Sequence, residues 1–188
     1  MHESFDFLEL ENLSSVAVLP DGAHIHILQK CTVCLEMQGH SSPTKLTQHD
    51  LRQASERHEI LEIRWKTTST ARWRKAYADV VESAEDSAKG LAFLLMRRLG
   101  YDFCAQAPRG ARVDYFMSKS NSDQDDTFIF NGPEIFGLEI SGILKDPSKV
   151  RKRLQEKKER IVNGNGFKPS LIVVVEHSLP QATIEMVC

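Results

Sequence analysis

GLEISG (137–142), then DPSKVRKRLQEKKERIVNG (146–164), then SLIVVVE (170–176) is the stretch whose reading decides the fold. In GLEISG, Glu139 and Ser141 alternate with Leu138 and Ile140, so the strand period of two places the polar pair on one face and the apolar pair on the other. Asp146-Pro147-Ser148 opens a helix with proline in its first turn, and Asn163-Gly164 closes it after about Val162. Ser170 to Glu176 is a continuous apolar run of the kind buried on both faces of a sheet.

Working outward from that core, residues 77–99 have a helical period. Steps of 100° put Val81, Ala84, Ala88, Leu91, Ala92, Leu95 and Leu99 on one face, and Gly100 closes the helix. Between this helix and the decisive stretch lie Asp102 to Ala107, Arg112 to Ser118, Thr127 to Phe130 and Pro133 to Ile143. All are short, rich in aromatic or β-branched residues, and read as successive antiparallel strands, with Asn131-Gly132 as a turn. The polar Ser118 to Asp126 reads as a hairpin loop. The order is helix, three or four strands, helix, strand.

Residues 1–76 read as a β-rich accessory segment and 77–188 as the α/β core, with one continuous domain as the alternative. In the first part, Phe5 to Leu10, Ser15 to Leu19 and Ala23 to Met37 read as strands, with Pro20-Asp21-Gly22 a turn. Gln38 to Pro43 reads as a loop, His49 to His58 as a short helix, and Ile60 to Trp65 as a strand.

The chain has 188 residues, 41% hydrophobic and 27% charged, enough to bury a core and too apolar for a disordered chain. A formal charge of −2 excludes binding of nucleic acid by bulk positive charge, so any such site is a local patch. The longest aliphatic run, Leu171 to Val175, is far short of the roughly 20 residues a membrane helix needs. The N-terminus, MHESFDFLELENL, lacks a basic, apolar export signal, and the expected compartment is the cytoplasm. Cys31, Cys34, Cys104 and Cys188 read as reduced thiols.

Three acids stand out. Glu85 falls about 40° from Val81 on the helical wheel, among apolar residues, where a carboxylate costs several kcal/mol unless paired or metal-bound. Asp114 alternates with Val113 and Tyr115 in RVDYF, and Glu139 shares its strand face with Ser141. Taken singly, each also reads as an edge-strand acid facing water or an arginine. Together they form an oxygen-ligand set of the kind Mg²⁺ takes, and such an ion activates water and stabilises charge on phosphate.

The second helix adds a cation. Val150, Leu154 and Ile161 define its apolar seam, and Lys157 falls inside that seam at about −20°. Either its stem packs and its charge escapes to the rim, or its ammonium lies beside Glu139. Lys145 to Arg160 holds eight basic residues against three acids, a surplus of five that suits phosphate and equally suits a solvated face laced with i,i+4 pairs.

The run from Glu85 through RGARVDY (109–115), GLEISG, KVRKRLQEKKERI (149–161) and SLIVVVE resembles the core of the PD-(D/E)XK, or restriction-endonuclease-like, superfamily over about half of the chain. The resemblance implies an α/β fold of helix, three-to-four-stranded meander, helix and strand, with a β-rich N-terminal elaboration. It implies that Glu85, Asp114 and Glu139 bind Mg²⁺ or Mn²⁺, with Ser141 where the superfamily has lysine. A hydroxyl does not supply the cation that orients the attacking water. Lysines in this superfamily migrate onto the following helix, and Lys157 is the residue expected to take over. Glu82, one turn before Glu85, is the alternative helix acid.

The expected function is metal-dependent phosphodiester hydrolysis on nucleic acid, DNA in the first instance, with Lys149, Lys152, Arg153, Arg109 and Arg112 as nucleic-acid contacts. The competing expectation is a catalytically silent module of a larger complex, and a homodimer or protein partner is compatible with both.

Weaker signals remain. His24, His26, Cys31, Cys34, His40 and His49 crowd the N-terminal part, but KCTVCLEM also reads as a strand with buried thiols, and without a second CxxC a structural zinc is not expected. Cys104 reads as a core residue. Trp65, Arg72, Trp73 and Arg74 could stack on bases, though pinning an accessory segment to the core is the preferred reading.

Overall fold

A computed structural model describes residues 7–53, 55–119 and 135–188. The chain is mixed α/β. One eight-stranded sheet runs through the described residues in the order β1-β3-β2-β8-β7-β6-β5-β4. The strands are β1 (Phe7–Glu9), β2 (Thr44–Leu51), β3 (Arg57–Arg64), β4 (Tyr101–Gln106), β5 (Tyr115–Lys119), β6 (Ile135–Ile143), β7 (Ser170–Glu176) and β8 (Gln181–Val187). The helices are α1 (Ala23–Met37), α2 (Ala71–Ala76), α3 (Val80–Arg98) and α4 (Lys149–Asn163), with a 3-10 turn at Leu10–Ser15. No helix among the described residues is long and apolar enough to cross a membrane.

Two apolar clusters cover opposite sheet faces, and β7 feeds both because its residues alternate. Leu171, Val173 and Val175 join α1 and α3, while Ile172 and Val174 join Val150, Leu154 and Ile161 of α4. This double burial explains why SLIVVVE is apolar throughout. β4 to β6 form the expected antiparallel meander, and β6 pairs parallel to β7 through α4. Asp79 starts α3 by accepting hydrogen bonds from the N–H groups of Val81 and Glu82, and Gly100, with φ of +81°, lets the chain turn after it. The expected strand Thr127 to Phe130, the turn Asn131-Gly132 and the loop beyond Lys119 lie outside the described residues.

The N-terminal reading needs correction. Ala23 to Met37 is a helix, α1, not strands. The alternation of His24-Ile25-His26-Ile27 imitates a strand, yet Ile27, Lys30, Cys31, Cys34 and Leu35 form a buried helical stripe spaced i, i+3, i+4, i+7, i+8, with Thr32 and Val33 buried beside it. That stripe seats on α3 where Gly90 has no side chain, against Ile27 and Cys31. Ser15 to Leu19 contains no strand, only the end of the 3-10 turn and a further turn. His49 to His58 is not a helix. It is the tip of the β2–β3 hairpin, where the Asp50 carboxylate accepts the backbone N–H of Arg52 and so turns the chain. The segment does not form a separate sheet, because β2 pairs parallel to β8.

Three smaller corrections follow from position. Val81 is 72% exposed, since it lies in the first turn of α3, beyond the sheet that covers the rest of that face. Cys104 is half-buried on edge strand β4 rather than in the core. β8 has no counterpart in the sequence reading.

Candidate functional site

The site lies where β6 passes beneath α3 and in front of α4. A Cβ on Gly142 would collide with the Ala84 carbonyl, so glycine lets the strand backbone touch the helix there. This close approach positions Glu85. Its carboxylate accepts the Gly142 N–H at 3.0 Å on one oxygen and the Ser141 hydroxyl at 3.1 Å on the other. Glu82 points elsewhere: it is largely exposed and bonded to Lys30 at 2.7 Å.

Asp114 ends the turn that leads into β5. Its backbone N–H donates to the Leu138 carbonyl, and its carboxylate accepts the Ile140 N–H, both at 2.8 Å. Tyr115 pairs with Leu138, and one further step in that register sets Asp114 across from Glu139 on the same sheet face. Leu138 and Ile140 enter the α3-side core, as the alternation in GLEISG requires, while Glu139 and Ser141 face the other way and are fully buried.

Lys157 of α4 reaches the acid. Its ammonium donates to Glu139 Oε1 at 2.6 Å and to the Ile140 carbonyl at 3.3 Å. Arg160, one turn later, donates to the same Oε1 at 2.5 Å. Glu139 Oε2 is buried with no hydrogen-bond partner. Burial, and then repulsion from Asp114, raise the Glu139 carboxyl above the ordinary glutamate range despite the two cations. Lys89, one turn after Glu85 on α3, adds a further cation. Burial would lower its ammonium, but the hydrogen bond to Asp86 and the charges of Asp86 and Asp114 hold it above the usual lysine value.

Five of the expected residues are thus gathered around four consecutive positions of β6: Glu85 with Ser141, and Asp114 with Glu139 and Lys157. Arg160 and Lys89 do not stand out in the sequence. Arg160 follows Lys157 by three positions and Lys89 follows Glu85 by four, spacings that share a helix face and are the signal that could have found them. The proposed phosphate contacts lie outside this cluster. Arg109, Arg112, Lys149 and Lys152 are exposed and Arg153 is half-buried. Lys149 pairs with Asp146 at 3.2 Å, while Lys152 and Arg153 lie 3.9 and 3.8 Å from Glu156.

The N-terminal Cys/His group is dispersed. Cys31 and Cys34 lie inside α1, where burial pushes both thiols up to about 12. His26 meets the Tyr77 hydroxyl, and His40 donates to the carbonyls of His177 and Ser178. Trp65 is buried, with its indole N–H directed at Glu36.

Comparison of the chain with protein-family models, with curated proteins and with solved structures finds no match.

Proposed function

We propose that this chain is a nucleic-acid-binding protein with a restriction-endonuclease-like core that hydrolyses phosphodiester bonds, of DNA in the first instance, using Mg²⁺ or Mn²⁺. The observation that carries the reading is the 2.6 Å approach of Lys157 to Glu139, which brings from α4 the cation that Ser141 does not provide from β6. The succession of α3, β4 to β6, α4 and β7 supports the core assignment.

The donor set fits a hard divalent ion. Glu139 Oε2 is a buried carboxylate oxygen without a partner, and burial first, then the charge of Asp114, make its ionised form costly, a cost that a bound cation would offset. Asp114 and Glu139 would hold the ion, with Glu85 alongside. When bound, it activates water and stabilises charge developing on the phosphate. Lys157, fixed between Glu139 and the Ile140 carbonyl, is the positioned charge that orients the attacking water and offsets charge at the scissile group. Lys149, Lys152, Arg153, Arg109 and Arg112 attract the backbone from outside.

A silent interaction module is the second reading, and one observation favours it. Glu139 Oε1 already takes both Lys157 and Arg160, an ion triad that closes without a metal. Incubation of the wild type and Asp114→Asn with double-stranded DNA, single-stranded DNA and RNA in Mg²⁺ or Mn²⁺ decides between them. Cleavage by the wild type alone supports the nuclease reading. Cleavage of no substrate, with no divalent-ion heat at millimolar metal, leaves the silent module.

A further inference from the structure

The tip of the β2–β3 hairpin gathers two imidazoles and a carboxylate. His49 and His58 are direct cross-strand partners, and Glu56 precedes His58 by two residues, the spacing that returns a side chain to the same face. The ligand atoms of all three lie within 4.8 Å of one another. Glu56 Oε1 is 3.2 Å from His49 Nδ1 and 3.6 Å from His58 Nε2, and the two rings meet edge to face at 4.7 Å.

We propose that His49, Glu56 and His58 form a binding site for a transition-metal dication, Zn²⁺ by preference. Two imidazole nitrogens with one carboxylate oxygen make the three-ligand set that zinc accepts while keeping a fourth position for water. Zinc bonds of about 2.0–2.1 Å require donors about 3.3 Å apart in a tetrahedron. The two separations to Glu56 Oε1 already bracket that value, and the remaining adjustment falls to the exposed side chains of Glu56 and His58. Imidazole ligands select zinc, nickel or copper, whereas Mg²⁺ takes oxygen. The adjacent acid, Asp50, does not compete, since both of its oxygens are held by Arg52.

This site is separate from the acid cluster. Ser141, Val174, Thr183, His49 and His58 are successive partners in one row across the sheet. His58 therefore lies four strand spacings, roughly 19 Å, from Ser141. A metal here would clamp β2 to β3 next to the chain reversal, on the sheet face that α4 leaves uncovered beyond β8.

Calorimetric titration with Zn²⁺ tests the site on the tag-free full chain carrying Cys104→Ser and Cys188→Ser, which removes the two thiols not buried in α1. The expected result is one zinc per chain with a rise in melting temperature. Both effects vanish in His58→Ala and in His49→Ala and persist in Asp114→Asn, and Mg²⁺ does not compete. His58→Ala changes an exposed side chain, and an unchanged circular dichroism spectrum separates loss of binding from loss of fold. Absence of zinc binding in the background protein, survival of binding in both histidine variants, or its disappearance in Asp114→Asn would each overturn the assignment.

Discussion

Replacing Asp114 by asparagine is expected to stabilise the protein at neutral pH and to remove its response to Mg²⁺. Asparagine keeps an oxygen that accepts the Ile140 N–H, so the turn into β5 retains its bond. What disappears is a negative charge facing a fully buried carboxylate. Opposed side chains on neighbouring strands are about 5 Å apart, and two unit charges at that distance repel by about 3 kcal/mol at an effective dielectric of 20. Asp114 is only half-buried, and solvent screening leaves about 1 kcal/mol of this. For a chain of this length that gain raises the melting temperature by about 2–4 °C. The pH dependence has a definite sign. A raised glutamate pKa means that ionising Glu139 costs stability in the native state, a cost that is full above the raised value and removed as pH falls through it and below the ordinary one. The advantage of Asp114→Asn is therefore present at pH 7 and absent near pH 4. If the proposed ion site binds it, magnesium is expected to reverse the order: at about ten times its Kd it would add about 1.4 kcal/mol to the wild type and nothing to the variant. Scanning calorimetry at both pH values, with and without Mg²⁺, measures all four corners. A variant that melts lower than the wild type by the same amount at both pH values would refute the reasoning, since loss of a structural bond and not relief of repulsion would then govern Asp114.

Lys157→Ala is expected to abolish cleavage while keeping most nucleic-acid binding, whereas exposed Lys152→Ala should weaken binding modestly and lower its salt slope by about one, both read from gel shift and cleavage assays across a salt series. Ser141→Lys in the Lys157→Ala background restores cleavage if the cation's place matters more than its origin; a folded double variant without activity counts against that. Gly142→Ala drives a methyl group into the Ala84 carbonyl and should cost about 1–3 kcal/mol in denaturant melts, the hydrogen bond from the residue-142 N–H to Glu85 being the first to break. His177 is buried, with Nδ1–H donating to the Ile143 carbonyl and Nε2 accepting from Ser87, so burial holds its pKa below the ordinary value. Stability should therefore fall by up to about 1.4 kcal/mol per pH unit as pH drops below about 6.5, and less steeply in His177→Gln.

The C-terminal half was legible because its patterns are unambiguous in kind. A short apolar run rich in valine reads as a central strand by its length and its β-branched residues, and the α4 seam of Val150, Leu154 and Ile161 is buried as its spacing requires. The N-terminal half misled because local alternation competed with a longer period. HIHI imitates a strand over four residues, while the stripe from Ile27 to Leu35 declares a helix only over nine, and Thr32 and Val33 lend β propensity to positions that a helix buries equally well. In the β2–β3 hairpin the reverse happened. Polar residues at the strand ends reach past the core, so the alternation fades where the strands do not. The pairing of His49 with His58 depends on hairpin register, which the sequence leaves open without a recognisable two-residue turn.

Within the acid cluster, what could be read depended on whether one element or two fixed the geometry. Strand period alone put Glu139 and Ser141 on one face, and the helical wheel alone aimed Lys157 inward, so both placements hold. Ser141 stands out in the sequence by what it lacks, the lysine of the resembled motif, and the role it does fill depends on how closely β6 approaches α3. With no side chain at Gly142 the helix comes down onto the strand, and Glu85 occupies the space in front of Ser141, taking its hydroxyl and the next N–H. A lysine at 141 would have to pass that carboxylate. α4 reaches Glu139 instead, and Lys157 and Arg160 both end on its Oε1. The short residue on the strand and the long cations on the helix are thus two sides of one steric arrangement. A cation-for-serine change on β6 only makes sense together with its removal from α4, which is why the Ser141→Lys exchange is informative in the Lys157→Ala background and not in the wild type.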